Sequence, residues 1–428
     1  MLDVISTVFW GLVLLAIIVF IHEVGHFVAA RAFGLRVKEF MIGLPGPRLS
    51  FKRRDTSYGI TAIPLGGYCL IAGMEKGEEG PEVEQALIFI AYFGSVCEDH
   101  ADRAGEALGI ALTDGLDTLA DWGCVRRYKV RGLHHYAISA ATVEGVSYEE
   151  GASRTISDPQ AFLAAERKLT YTALPWWKRI IVLLAGSFFN LVIAMIILIT
   201  LLMALGASAP TTLVEAVVAD SPAEAAGLAP GDELVSLDGV TFDSWQGFVE
   251  TVLDHEVGDT VELGYTRDGQ EQAVSIKLID REGSPFVGIS PHAEPISVLQ
   301  AAELSIKLVG LMLNGILQLL NPVTFASTIG QTSSVVGISM EARNAAAAGP
   351  FDFILLVAAL SISIGFMNLL PIPPLDGGKI IIETIERVLH RRLPASVVNG
   401  ISLAGIAAMI LLFIVATNAD IHRYFLGG

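Results

Sequence analysis

A stretch long and apolar enough to cross a bilayer constrains this chain more than any other feature, because His22-Glu23-Val24-Gly25-His26 lies inside it. From residue 5 to residue 30 the only ionised side chain is Glu23. A carboxylate at membrane depth is costly and is kept there for a function. Histidines four residues apart put both imidazoles on one helical face, one turn apart. That geometry suits Zn²⁺, and the glutamate beside the first histidine can act as base on the water the metal activates. On a soluble helix the same five residues could be an ordinary solvated pattern. An apolar span has no solvated face, so the reading here is a metal held by His22 and His26 with Glu23 as catalytic base.

The rest of the composition agrees with a membrane protein of two or three folded units. Only 17% of the 428 residues are charged, and the mean hydropathy is +0.57, far from a soluble average. Three further segments, 180–209, 353–370 and 401–417, contain no charge and can each cross a bilayer. The net charge of −17 is uneven. Residues 206–296 hold seventeen Asp and Glu against three Lys and Arg, whereas residues 31–54 hold seven Lys and Arg opposed by Glu39. Basic residues also crowd the approach to the second span (Arg167, Lys168, Lys178, Arg179) and the link between the last two (Lys379, Arg387, Arg391, Arg392). By the positive-inside rule those loops are cytoplasmic and the acidic loop is outside, with both termini outward. Asp3 stands where a signal peptide would be basic, so the first span is expected to be retained. Cys69, Cys97 and Cys124 form no CxxC, and no disulfide or cysteine metal site is expected. No stretch has the pattern of a nucleic-acid site.

Residues 304–320 are apolar with Lys307 their only charge. A crossing there would put Asp376 on the opposite side from His26, so the segment is read as an amphipathic helix on the membrane, stopped at Pro322. The acidic loop reads as a compact α+β module. It has a strand near Leu213, a short helix capped by Ser221 and ended by Gly227, a strand before the turn Asp238-Gly239, a helix from Ser244, and a hairpin around Asp268-Gly269. Residues 82–165 read as a small cytoplasmic α+β insert, with helices over 98–111 and 159–168 and strands over 126–130 and 136–143. The predicted divisions are 1–81 (first span and β-loop), 82–170 (insert), 171–209 (second span), 210–292 (outer module), 293–350 (interfacial segment) and 351–428 (last two spans).

Two histidines leave a tetrahedral zinc short of a third protein ligand, and Asp376 is the candidate. It ends Asn368-Leu369-Leu370-Pro371-Ile372-Pro373-Pro374-Leu375-Asp376, where three prolines within four residues must break the third span. A solvated Asp in an ordinary turn is the alternative. Gly66, Gly67 and Tyr68 follow an alternating stretch and read either as a plain exposed hairpin or as an edge strand that pairs with an extended substrate.

Taken together these motifs resemble the site-2 protease family of intramembrane zinc metalloproteases, most closely its bacterial regulator-of-sigma-E-protease branch. The match runs from the HEVGH span through the loop to Gly73, Ala185-Gly186-Ser187-Phe188-Phe189-Asn190 in span two, a PDZ-like outer module and the Asn368–Gly378 element. The resemblance implies Zn²⁺ held by His22, His26 and Asp376, Glu23 as base, and Asn368 on the unwound substrate strand. The implied architecture is a multi-pass α-helical protein of the cell (inner) membrane. It has four transmembrane helices, one extracytoplasmic PDZ-like α+β domain and an active site near the cytoplasmic side; the small cytoplasmic α+β insert is read from the residues alone. Its partners would be the lipid bilayer and the transmembrane segments of single-span substrates, such as anti-sigma factors or signal-peptide remnants, cleaved in regulated proteolysis. Three features depart from the pattern: Gly186-Ser187 replaces Gly-Pro, only one PDZ-like module fits, and residues 82–165 have no counterpart. Rival readings are a cytosol-facing zincin with a glutamate third ligand, and a PDZ-type membrane scaffold with a relic zinc site.

Overall fold

The computed structural model describes residues 2–74, 80–143, 146–208, 211–281, 284–321, 334–391 and 393–425. The chain divides into two compact units, residues 1–194 with 309–428, and residues 195–308. Helix α1 (Leu2–Ala32) has no ionised side chain between Asp3 and Arg31 except Glu23. Its 31 residues extend about 46 Å, more than a hydrocarbon core requires. Gly34, with φ of +78°, ends it as the Leu35 amide donates to the Ala30 carbonyl, a conformation that glycine adopts without steric cost.

Two long strands follow, β1 (Val37–Arg53) and β2 (Thr56–Ile71). Their register is not that of a plain hairpin. Residues 48–53 pair with residues 56–61, while Glu39, Phe40, Met41 and Ile42 each have two partners, one within 57–60 and one within 67–70. Two strands thus make a four-row surface. Its outermost row, residues 67–70, has no strand on its far side among the described residues.

The insert is built from α2 (Glu82–Phe93), β3 (Ser95–Cys97), α3 (Glu98–Leu108), α4 (Leu112–Trp122), β4 (Val125–Val130), β5 (Leu133–Ile138), β6 (Ala141–Val143), β7 (Val146–Tyr148) and α5 (Pro159–Arg167). Strands β3, β5 and β4 form one sheet in that order. Leu87, Ile90, Leu116, Leu119, Trp122 and Tyr136 fill its core. The helix expected over 98–111 is present but ends at Leu108, where Gly109 turns left-handed, and the helix at 159–168 and the strand at 126–130 are present. The strand expected over 136–143 is divided between β5 and β6. Helix α4 was not foreseen.

Helix α6 (Trp176–Leu205) is a second long apolar helix. In the second unit, a sheet orders Val240–Thr241, Glu233–Leu237, Thr260–Arg267 and Gln270–Lys277, and Val214–Val217 pairs with Ile289–Pro291. Helices α7 (Pro222–Ala225) and α8 (Trp245–Leu253) begin at Ser221 and Ser244, whose side chains accept from the Glu224 and Gly247 amides. Val214, Leu234, Phe248, Leu263 and Ile276 are its core. The turns are at Asp238-Gly239 and Asp268-Gly269, all four residues having positive φ.

The remaining helices are α9 (Val298–Leu320), α10 (Val335–Ala348), α11 (Pro350–Asn368), α12 (Asp376–Leu389) and α13 (Ala395–Phe425). Pro322, the expected stop for α9, lies outside the described residues. Trp10 of α1 meets Phe353 of α11 with ring centroids 5.2 Å apart. Helix α10 packs against α1 where Gly11 leaves room for Ser339, and Arg343 pairs with Asp3 at 3.6 Å. Among the described residues five helices have the length and composition to cross a membrane: four in the expected places, and Val298–Gln318 within α9.

Candidate metal centre

Three elements bring the candidate metal donors together. One turn of α1 separates His22 from His26, and the break after α11 returns the chain so that Asp376 opens α12 beside them. Asp376 Oδ2 lies 3.1 Å from His22 Nε2 and 3.2 Å from His26 Nε2, and the two Nε2 atoms are 3.2 Å apart. Around a tetrahedral zinc with bonds of about 2.0–2.1 Å, neighbouring donors stand roughly 3.3 Å apart. The triangle therefore fits Zn²⁺ before any adjustment, and its two nitrogens and one carboxylate oxygen are a zinc donor set. All three residues are buried, at 9%, 8% and 6% exposure, which keeps competing water from the donors. Among the described residues this is the group of His, Cys, Asp or Glu that meets the geometry for an ion.

The shell around the donors holds them in place. His26 Nδ1 donates to the Val182 carbonyl of α6 at 2.8 Å, which leaves Nε2 with its lone pair toward the metal position. Gly186 lies directly against both imidazoles, since a Cβ there would fall 2.5 Å from His26 Nε2 and 2.8 Å from His22 Nε2. The contact is reciprocal, for a Cβ on Gly25 would come within 2.3 Å of the Ala185 carbonyl oxygen. The close approach of α1 and α6 is thus made by glycines on both sides, without the Gly-Pro pair. Lys379 Nζ lies 3.5 Å from Asp376 Oδ1, the carboxylate oxygen not turned to the histidines. Arg179 near the start of α6 pairs with Glu383 of α12 at 2.8 Å, fixing the helix that Asp376 begins.

The other expected residues are placed as follows. Glu23 neighbours His22 and stands outside the donor group. Gly67 brings β2 onto α1 beside it, where a Cβ would lie 3.3 Å from Glu23 Cγ and 2.6 Å from Val19 Cγ1. Gly66, with φ of +102°, makes the bend before that contact. The Tyr68 hydroxyl donates to Glu39 on β1 at 2.9 Å, so its polar tip belongs to the sheet and only its backbone faces the edge. Asn368 is half-buried as the last residue of α11. Sequence reasoning missed Val182, Lys379, Arg179 and Glu383.

Comparison with known proteins finds relatives along nearly the whole chain. The family described as Peptidase family M50 matches residues 10–412. The zinc metalloprotease RasP of Shouchella clausii is 30% identical over 432 residues, covering 98% of this chain and all of that one. RasP of Geobacillus kaustophilus is 26% identical over 443 residues and covers both chains fully. Among solved structures, the PDZ domain of an SdrC-like protein from Listeria innocua is 37% identical, covering 20% of this chain and 96% of its own, with a TM-score of 0.18.

Proposed function

The chain belongs to peptidase family M50, and on that premise we propose that it cleaves single-span membrane proteins within the bilayer, in regulated proteolysis of substrates such as anti-sigma factors or signal-peptide remnants. It is a zinc metallopeptidase and a multi-pass membrane protein. The observation that carries the proposal is the donor triangle of His22, His26 and Asp376, assembled where an apolar helix of spanning length meets a broken one.

A transmembrane helix resists hydrolysis because its carbonyls are hydrogen-bonded and dry. An unwound stretch of substrate can pair with the free edge of residues 67–70, where Gly67 and Tyr68 offer backbone groups and Gly66 turns the chain into the edge. Gly67 holds that edge against Glu23, so the paired substrate arrives next to the base. Asn368 supplies a further contact to the extended strand. Bound at His22, His26 and Asp376, zinc supplies Lewis-acid activation of water and of the scissile carbonyl. Glu23 accepts the proton of the attacking water and returns it to the leaving amine. The Val182 carbonyl fixes the His26 tautomer, and the buried surroundings strengthen each charge interaction at the reacting carbonyl.

Four spans suit this arrangement, namely α1, α6, α11 and α13. The Trp10–Phe353 contact at one end and the metal donors at the other make α1 and α11 run the same way. Helix α6 supplies the single return between them, which leaves α9 along the membrane surface. In the proposed topology, which the Lys and Arg distribution supports, the metal site is near the cytoplasmic side of the cell (inner) membrane, the insert in the cytoplasm, and the PDZ-like domain outside.

Zinc analysis of Asp376→Ala tests the assignment. The variant is expected to purify with little zinc and no proteolysis. A zincin with a glutamate third ligand would keep both, and that outcome overturns the ligand set. An unaltered chain loaded with zinc yet unable to cleave any single-span substrate would point to a scaffold.

A further inference from the structure

The free outer row of β2 leads to a cavity. Leu70, the last residue of that row, also lines a space of about 580 Å³ walled on one side by β1 and on the other by the insert. The two walls are tied together, for Lys38 of β1 pairs with Asp121 at 3.1 Å and Arg36 donates to the Trp122 carbonyl at 3.0 Å. A chain laid along the row from Gly67 to Leu70 advances about 10 Å over three residues. Its next residues are then at the mouth of the cavity.

Charge on the walls is sorted by exposure. Three of the ion pairs there leave the cation as the more accessible partner. The Arg48 side chain is 39% exposed against 22% for Glu39, Arg126 62% against 35% for Glu150, and Arg127 47% against 17% for Asp117. Lys52 and Asp55 are both exposed and offset one another, so the three pairs set the sign. A chain entering the cavity meets guanidinium groups before it meets carboxylates.

We propose, on the reading that substrate pairs with this edge, that the cavity holds the cytoplasmic flank of the bound substrate and selects acidic residues in it. Cytoplasmic flanks of membrane proteins are ordinarily rich in Lys and Arg. Like charges brought together disfavour those flanks, while an acidic flank is attracted. The edge accepts any backbone, and the cavity supplies the discrimination that the edge lacks.

The test uses the zinc-loaded full chain in dodecyl maltoside and fluorophore-labelled single-span segments. These carry three glutamates or three lysines about four to eight residues to the cytoplasmic side of the cleaved bond. Affinity is read by fluorescence anisotropy and cleavage on gels. The glutamate flank is expected to bind about fivefold tighter or more than the lysine flank, and the same exchange at the outer flank should change affinity less than twofold. Lys52→Glu combined with Arg126→Glu, one exposed residue from each wall, should reverse the order. Equal affinities for the two flanks overturn the proposal, as does an order that the double variant leaves unchanged or an equal effect at the outer flank. Should the double variant fail to fold, each single substitution must still narrow the preference, and an unnarrowed one overturns it. Selective binding without cleavage keeps the cavity's role and removes the protease reading, whereas cleavage without selectivity does the reverse.

Discussion

At position 23 a carboxylate stands next to a candidate metal donor in the chain yet outside the candidate donor group, so binding and chemistry can be separated by one substitution. Glu23→Gln keeps the size of the side chain and removes its basicity. Purified protein should retain its zinc, measured by atomic absorption, while cleavage of a single-span substrate falls roughly a hundred- to ten-thousand-fold, the usual worth of a positioned base. Normal turnover would remove Glu23 from the mechanism. The same contrast explains what was legible at this scale. That His22, His26 and Asp376 come together could be read because zinc chemistry asks for such side chains in a setting where chance does not supply them. Val182 could not, because it contributes a carbonyl that every residue type possesses. Lys379 and Glu383 look like the polar face of any amphipathic helix until Asp376 and Arg179 are seen opposite them.

Between elements, glycines decide which helices can touch. Gly186 brings α6 onto the imidazoles with no side chain between, so Gly186→Val must push His22 and His26 out of register with Asp376. Zinc affinity, measured by competition with a chromophoric chelator, should fall on the order of 10- to 100-fold, as when the shell around a metal ligand is disturbed. Unchanged affinity would mean that α6 is not packed on the site. A glycine that matters for what it lacks leaves little trace in a sequence. Gly115 is a second case, for a Cβ there would meet the Glu82 carbonyl oxygen at 2.6 Å, and this close packing on α2 gives α4 its place. Leu112, Leu116 and Leu119 have helical spacing, but Gly115 inside the pattern lowers its helix propensity and hid the element. The module of residues 211–291 was readable almost strand by strand, since Ser caps and Asp-Gly turns are local signals. The double pairing of residues 39–42 was not, because two partners at different distances along the chain are a tertiary outcome.

On the scale of the whole molecule, charge and length prescribe how the chain threads the bilayer. A cysteine introduced at Asp254, in a chain lacking Cys69, Cys97 and Cys124, should react with an impermeant maleimide from outside, and one at Arg391 only after permeabilisation; both positions are exposed. The reverse pattern would invert the topology, and labelling of both on one side would mean that α9 crosses. Residues 211–291 present a different question, because the metal donors lie elsewhere in the chain. A domain with a strand beside a helix is suited to binding an extended chain end, which could serve either to recruit substrates or to exclude them. Exclusion follows if untrimmed ectodomains are too bulky to approach while short stubs pass. Deleting the domain should then leave cleavage of a pre-trimmed substrate largely intact and raise cleavage of an untrimmed one, both read as product per unit of zinc-loaded enzyme. Loss of cleavage of the trimmed stub, in a variant that still binds zinc, would instead make the domain a recruiter. The two roles predict opposite changes for the same deletion, so a single pair of substrates decides between them.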